Sequence, residues 1–477
     1  MRCLTEPLAP CLRTVASRVV IVAILTAFAV GSLSGCGTIP DAGALIRSKV
    51  LYRISPRFVG ARGPLTNREA RTIISDLEAR QHEKSNILQR HLAFEQALSD
   101  VPLVLGNKVT LLKNGPATYA AMFSAIESAT SSINLEMYIF SAGPIGERFA
   151  DALIDRQRHG VQVNIMYDSF GSLQTPASFF DRMRAAGVRV VQFNPLNPFE
   201  TRLRWSVGHR NHRKLLVVDG RVAFTGGINI SNVYANGMIP HGETPEANPA
   251  HWRDTDVEVT GPVVSQFQEI FIHDWLSQKG PPLAPREYFP PLRAEGDDIV
   301  RVIASAPEQF SLIYVTLISA IDNAETNVYI TDAYFAPDHQ TVKALRRAAR
   351  RGVDVRLLLP SQSDVPLIVS AARSHYTKLM AAGVKIYEWR GEMLHAKTAT
   401  IDGVWSTVGT SNLDWWSIAR NDEINADIVS QSFGTEMNLM FRNDLEDSVL
   451  IDPHQWRDRG IVERTREFFA GMIEPLL

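Results

Sequence analysis

Cysteine is nearly missing from this chain of 477 residues: it has three, Cys3, Cys11 and Cys36, all near the N-terminus. No disulfide can form beyond Cys36, so the stability of the body does not depend on redox compartment. A marked excess of either charge is missing too. The formal net charge is −2 with no polybasic signature, which counts against a nucleic-acid partner. The apolar run over residues 19–30 is too short for a comfortable membrane span. No Asp, Glu or His cluster has metal-ligand spacing, so no metal or other cofactor is expected. What remains is a 45% hydrophobic composition and enough length for two or three domains with ample cores.

The N-terminus reads as a targeting segment. Arg13 and Arg18 precede the apolar run, and small residues lead to Leu33-Ser34-Gly35-Cys36. This resembles a bacterial lipoprotein signal over residues 1–36, with cleavage before Cys36 and acylation of that cysteine as a lipid anchor. The alternative is an uncleaved signal anchor over residues 18–35. Either way the body is expected at a bacterial cell membrane, facing the periplasm or the cell exterior. Residues 37–100 read as a tether followed by a helical segment, with apolar residues at helical spacing from Ile73 to Phe94. That segment is expected to pack on the first domain.

One pattern then occurs twice. His212, Lys214, Asp219, Gly226, Gly227 and Asn229 recur as His395, Lys397, Asp402, Gly409, Thr410 and Asn412 with matching offsets. Strand side chains alternate faces, so each His and the Lys two residues on emerge on one face. The buried runs that follow read as strand, and Asp219-Gly220 and Asp402-Gly403 as hairpin turns, with both Asp residues fixing the turn. Each return strand ends in a corner of small residues where backbone can approach a ligand, and Asn229 and Asn412 are placed to donate an amide there. Imidazole, ammonium and amide converging on one point suit a phosphate.

The duplication extends beyond the motifs. SINLEMYIF from Ser132 parallels ETNVYITDAYF from Glu325, and AAGVRV from Ala185 parallels AAGVKI from Ala381. Strand and helix alternate from Val109 onward, which predicts an α/β fold. The Pro-rich stretch over residues 280–295 predicts a boundary, giving a first domain at residues 101–285 and a second at 296–477. A pseudo-twofold axis between them would bring His212 and His395 face to face.

The two HxKxxxxD motifs, each with a small-residue turn and an Asn, resemble the phospholipase D superfamily. That resemblance implies two homologous α-β-α domains around central mixed sheets. Within the superfamily, NHRKLLVVDG with GGIN, HWRD with GP, DAYFAPD, and LHAKTATIDG with GTSNLD resemble the bacterial cardiolipin synthases over residues 100–477. The resemblance implies phospholipid substrates at a membrane surface and transfer of a phosphatidyl group to phosphatidylglycerol, making cardiolipin. It makes His212 the nucleophile, through a covalent phosphohistidine, and His395 the acid and base, with Lys214 and Lys397 in place of a metal. Matches to family elements nominate two carboxylates to orient the imidazoles: Glu423 for the second half, and Asp254 for the first with Asp256 in reserve. A hydrolytic phospholipase D or a nuclease would use the same histidines with water as acceptor. A lipid-binding protein without activity would need no acid/base pair. Trp415 and Trp416, after Asn412, read as an interfacial wall or a buried aromatic pair.

Overall fold

The computed structural model describes residues 39–48, 54–81, 85–197, 208–235, 252–307 and 311–474. Cys36, the apolar run over 19–30 and the expected signal lie outside the described residues. Among the described residues no helix is long and apolar enough to cross a membrane.

Seven strands recur in each copy of the repeat. The first has β1 (Leu103–Lys113), β2 (Ser132–Met137), β3 (Gln162–Asp168), β4 (Arg189–Phe193), β5 (Lys214–Val218), β6 (Val222–Gly226) and β7 (Thr255–Thr260). The second has β8 (Asp298–Ser305), β9 (Asn327–Thr331), β10 (Asp354–Pro360), β11 (Lys385–Trp389), β12 (Thr398–Ile401), β13 (Trp405–Gly409) and β14 (Asn421–Val429). The first sheet runs β4-β3-β2-β5-β6-β7-β1, and its first three strands are parallel. The second repeats that order as β11-β10-β9-β12-β13-β14-β8. Strands β1 and β8, equivalent in the two copies, pair antiparallel, so the pseudo-twofold relation falls at this joint. Residues 278–297 between the copies carry no strand or helix.

Alternation along β5 shows how the layers form. Leu216 and Val218 face a core made with Phe123 and Phe149 of the helices α1 (Asn114–Ser128) and α2 (Pro144–Arg158). Leu215 and Val217 face a second core built around Phe267 and Trp275 of α3 (Val264–Ser277) and Met437 of α4 (Gln431–Glu446). Every residue of β5 is buried. Each such side chain is worth about 1.5–3 kcal/mol of burial, so this strand is fixed by packing on both faces. The His-x-Lys ends of β5 and β12 are thereby held on a rigid platform.

The Asp-Gly corners are turns with both residues left-handed, at φ 52° and 62° for Asp219 and Gly220, and 52° and 61° for Asp402 and Gly403. The Asp219 carboxylate accepts from the backbone of Thr130, Ser131 and Ser132 at 2.7–2.9 Å, latching the start of β2. Asp402 does the same for Glu325, Thr326 and Asn327. Seven residues of extended chain separate each Asp from its His, on the order of 20 Å. Both therefore stand at the far end of the hairpin, away from the imidazoles.

The helical segment before β1 corrects one expectation. The helix Asn67–Gln81, the π-helical turn Ile87–His91 and the helix Leu92–Leu98 do form. Their apolar face packs on the second copy: Ile87, Leu88, Leu92 and Phe94 join the core around Tyr314, Val315 and Trp405. The His91 ring lies edge-on to Trp405 at 5.1 Å, and Arg301 of β8 pairs with buried Glu95 at 3.2 Å. Apolar spacing defines a face but not its address. Because β1 is joined to β8, the chain leading into β1 lies over the neighbouring copy.

Candidate active site

Two short parallel bridges bring the motifs together. The two-residue strand Arg210–Asn211 pairs with Asn421 and Asp422, and His212 N donates to Asp422 O at 2.9 Å. Symmetrically, Arg253 bridges Leu394, and His395 N donates to Arg253 O at 2.7 Å. In both cases the next residue of the partner segment is an acid. Glu423 lies 2.9 and 3.0 Å from His212 Nδ1, and Asp254 lies 2.7 Å from His395 Nδ1.

Each imidazole is thus held by a carboxylate from the other copy. Sequence matching had assigned Asp254 to the first half and Glu423 to the second, and the structure exchanges them. Within its own sheet each acid is two strands away from the motif strand, whereas across the twofold joint the bridges carry it to the opposite His. Asp256, the reserve candidate, contacts neither His: its Oδ1 accepts from Ile228 N at 3.0 Å. Burial, then repulsion from Asp254, drives the Asp256 carboxyl well above the usual range.

Both lysines are buried. Lys214 Nζ donates to His212 O at 2.6 Å and sits 5.1 Å from the Tyr138 ring. Lys397 donates to His395 O, lies 2.9 Å from His395 Nδ1, and is 5.7 Å from the Tyr334 ring. Burial pushes Lys214 down to about 7, with Glu423 opposing and Lys397 adding to the shift. Lys397 is lowered for the same first reason. Burial also lowers His212 against the pull of Glu423, and burial together with Lys397 pushes His395 down to about 4. Burial alone would raise Glu423, but His212, Lys214 and the Thr410 hydroxyl at 2.5 Å outweigh it and hold it low. Each lysine feels acids of both copies. The two half-sites therefore form one electrostatic unit, crowded with cationic groups and suited to an anion.

The Nδ1 contacts define the ring orientation: with Nδ1–H turned to a carboxylate, Nε2 carries the lone pair. Among the described residues the hydrogen bonds to both rings all fall on Nδ1. The asparagines are more constrained than their spacing suggested. Asn229 accepts from Ile139 N at 3.0 Å and donates one amide hydrogen to Tyr234 OH at 3.3 Å, while Asn412 donates to Ser417 Oγ at 3.4 Å. That leaves the second N–H of each amide for a ligand, together with the unpartnered Oδ1 of Asn412. The small-residue corners provide room for the polar side chains that face them. A Cβ at Gly227 would land against Asp254 Oδ1, and one at Gly409 against Asn425 Oδ1.

Sequence reasoning missed several neighbours. Tyr138 packs edge-on against His212 at 4.8 Å, and Tyr334 against His395 at 5.7 Å. Tyr234 OH is 3.2 Å from His395 Nδ1. Arg213, between His212 and Lys214, points to the opposite face, where it pairs with Asp274 and donates to Glu423 O at 3.1 Å. A charged residue at an inward-alternating strand position was the available signal for Arg213. Trp415 and Trp416 are both half-buried. Among the described residues no group of three or more His, Cys, Asp or Glu is placed to hold a metal.

Fold and site together define an enzyme of the phospholipase D superfamily. The family model described as cardiolipin synthase, PLD-like domain, matches residues 122–275 and 317–445. The chain is 34% identical to a cardiolipin synthase of Geobacillus kaustophilus over 79% of its own length and 74% of the relative's. It is 34% identical to one of Alkalihalophilus pseudofirmus over 79% and 73%. The crystal structure of phosphatidylserine synthase from Haemophilus influenzae superposes with TM-score 0.61 at 12% identity, covering 80% of this chain and 99% of that one, a likeness of fold. The chain belongs to the cardiolipin synthase family of PLD-like proteins.

Proposed function

We propose that the protein makes cardiolipin from two molecules of phosphatidylglycerol through a phosphatidyl-histidine on His212. The observation that carries this reading is the pair of imidazoles, each oriented by a carboxylate of the opposite copy and flanked by a buried lysine. In the first half-reaction His212 Nε2 attacks phosphorus, the bond to the glycerol oxygen breaks, and His395 protonates that oxygen so glycerol leaves. His395 then takes the proton from the hydroxyl of a second phosphatidylglycerol. Its oxygen forms the new bond to phosphorus, the N–P bond breaks, and His212 is regenerated. A bound phosphodiester anion favours the imidazolium of His395 that burial and Lys397 disfavour. Lys214 and Lys397 neutralise the phosphoryl oxygens, and the carboxylates of Glu423 and Asp254 are engaged with the imidazoles, which supports a reaction without a metal.

Pure phosphatidylglycerol given to the purified enzyme should yield cardiolipin and free glycerol on thin-layer and enzymatic analysis, undiminished by chelators. Phosphatidic acid as the sole product would make it a hydrolase, and loss in EDTA with rescue by a divalent ion would overturn the metal-free chemistry. His212→Ala and His395→Ala should each abolish turnover. The reading extends to location: the Leu33-Ser34-Gly35-Cys36 sequence supports acylation of Cys36 and attachment outside the cytoplasm. Labelled palmitate should enter the wild-type chain and not Cys36→Ser.

A further inference from the structure

The helix Ile461–Met472 carries its amphipathic pattern inside out. Glu467 and Ala470 are its buried residues, on the side packed along the helix Pro366–Met380. On the opposite side Ile461, Phe468 and Met472 share one face, with Val462 and Phe469 beside them. They are 80%, 63%, 63%, 78% and 59% exposed respectively. Scattered exposed apolar residues are ordinary, but five along one side of a three-turn helix, two at its start and three at its end, mark an interaction surface.

What lies beside the stripe identifies the partner. A cavity of about 800 Å³ opens between Met472, Trp415 of the second motif's turn, and the helix His339–Arg350. Lys343, Arg346, Arg350 and Lys378 line it, and none of the four has an acidic partner among the described residues. Arg346 Nε is buried without any hydrogen-bond partner. The carboxylates on the wall are engaged elsewhere: Asp338 caps its own helix and Glu474 holds His375 at 2.7 Å. A protein of net charge −2 therefore concentrates free cations next to an apolar stripe. Ile39 also lines this cavity, and Cys36 stands three residues earlier in the chain, a reach of about 10 Å.

We propose that the C-terminal helix and the cationic cavity beside it form the docking surface for an anionic phospholipid bilayer. The stripe enters the headgroup boundary and a lipid phosphate occupies the cavity. This rests on the reading of the substrate as phospholipid and adds how the enzyme meets it: the lipid is engaged next to Trp415, on the side of the second motif.

The test uses the full chain in vesicle flotation, with phosphatidylcholine alone or mixed with phosphatidylglycerol. Wild type should favour the anionic vesicles. Phe468→Asp with Phe469→Asp should lower partitioning on the order of tenfold or more, and Arg346→Glu with Arg350→Glu should remove the preference for phosphatidylglycerol, also by about tenfold. A separate readout bypasses any N-terminal anchor: Phe468→Trp should gain fluorescence that brominated acyl chains quench. Unquenched added fluorescence would overturn the proposal, as would a wild-type dimer that the double Phe variant splits without loss of vesicle binding. Turnover of monomeric short-chain phosphatidylglycerol tests the catalytic reading by itself. Quenching without such turnover would sink the catalytic reading and leave the docking surface standing, and turnover without quenching would do the reverse.

Discussion

Replacing Glu423 with Gln separates the crossed arrangement from the one expected by sequence matching. Gln keeps the volume and one acceptor but removes the charge facing His212 Nδ1 at 2.9 and 3.0 Å. Loss of the orienting carboxylate in a Ser-His-Asp triad costs about 10⁴ in rate, so a fall of 10³–10⁴, about 4–5.5 kcal/mol, is expected here. A second effect has a definite sign. After burial, Glu423 is the strongest influence on Lys214, and it opposes the fall that leaves the lysine at about 7. Without it the lysine drops further, so the limb of the rate profile that needs a charged Lys214 moves to lower pH. The assay is rapid mixing with a phosphatidyl ester of p-nitrophenol, whose leaving group needs no acid. Asp254→Asn disables His395, which is needed only to deliver the acceptor, so it should show a burst near one equivalent and then stall. Glu423→Gln should be slow from the start with no burst. A burst in Glu423→Gln with the label mapped to the His212 peptide would refute the crossed pairing; label on the His395 peptide would instead reverse the choice of nucleophile.

Three further outcomes are expected. Gly227→Ala places a Cβ against Asp254 Oδ1, and a carboxylate displaced by about 1 Å should cost on the order of a hundredfold in kcat, with circular dichroism and melting little changed. Asp219→Ala strands the Thr130, Ser131 and Ser132 donors and puts Ala at positive φ, so denaturant melts should show a loss of about 2–4 kcal/mol while kcat per folded molecule is retained. A drop in kcat matching that of His212→Ala would put Asp219 back in the chemistry. Burial lowers His212, holds His395 at about 4 and Lys214 at about 7, and a bound anion raises all three. Titrating dimethyl phosphate, a phosphodiester whose single charge does not change in this range, at neutral pH in buffers of different ionisation enthalpy should therefore report net proton uptake. Proton release would contradict the direction of these shifts.

Much of this was legible because it is local. The Asp-Gly corners and the AAGV helix ends depend on backbone geometry within a few residues and appear where expected, whereas His212, His395 and Lys397 lie just before β5 and β12 and not on them. What depends on packing between distant segments was not. The helix before β1 could be read from its apolar spacing, but its placement over Tyr314 and Trp405 follows from the β1–β8 joint. The asparagines could be placed at the corner, yet Tyr234 and Ser417 claim one amide hydrogen each through contacts that no spacing encodes.

The exchanged acids are the clearest case, and they bear on why the two copies share one chain. His212 and Glu423 are 211 residues apart and His395 and Asp254 are 141 apart, so no local pattern could reveal which acid serves which ring. A single copy holds an imidazole and a carboxylate that never meet. The site becomes complete only when β1 pairs with β8 and the bridges at Asn211–Asp422 and Arg253–Leu394 close. Covalent linkage of the copies makes that closure part of folding, free of the translational cost of association. It also frees the two half-sites to diverge. His212 faces both oxygens of Glu423, whereas His395 Nδ1 is crowded by Asp254, Tyr234 and Lys397. The ring faced by both carboxylate oxygens is the better candidate for repeated attack on phosphorus, and the crowded ring is the one whose affinity for a proton depends most on an arriving anion.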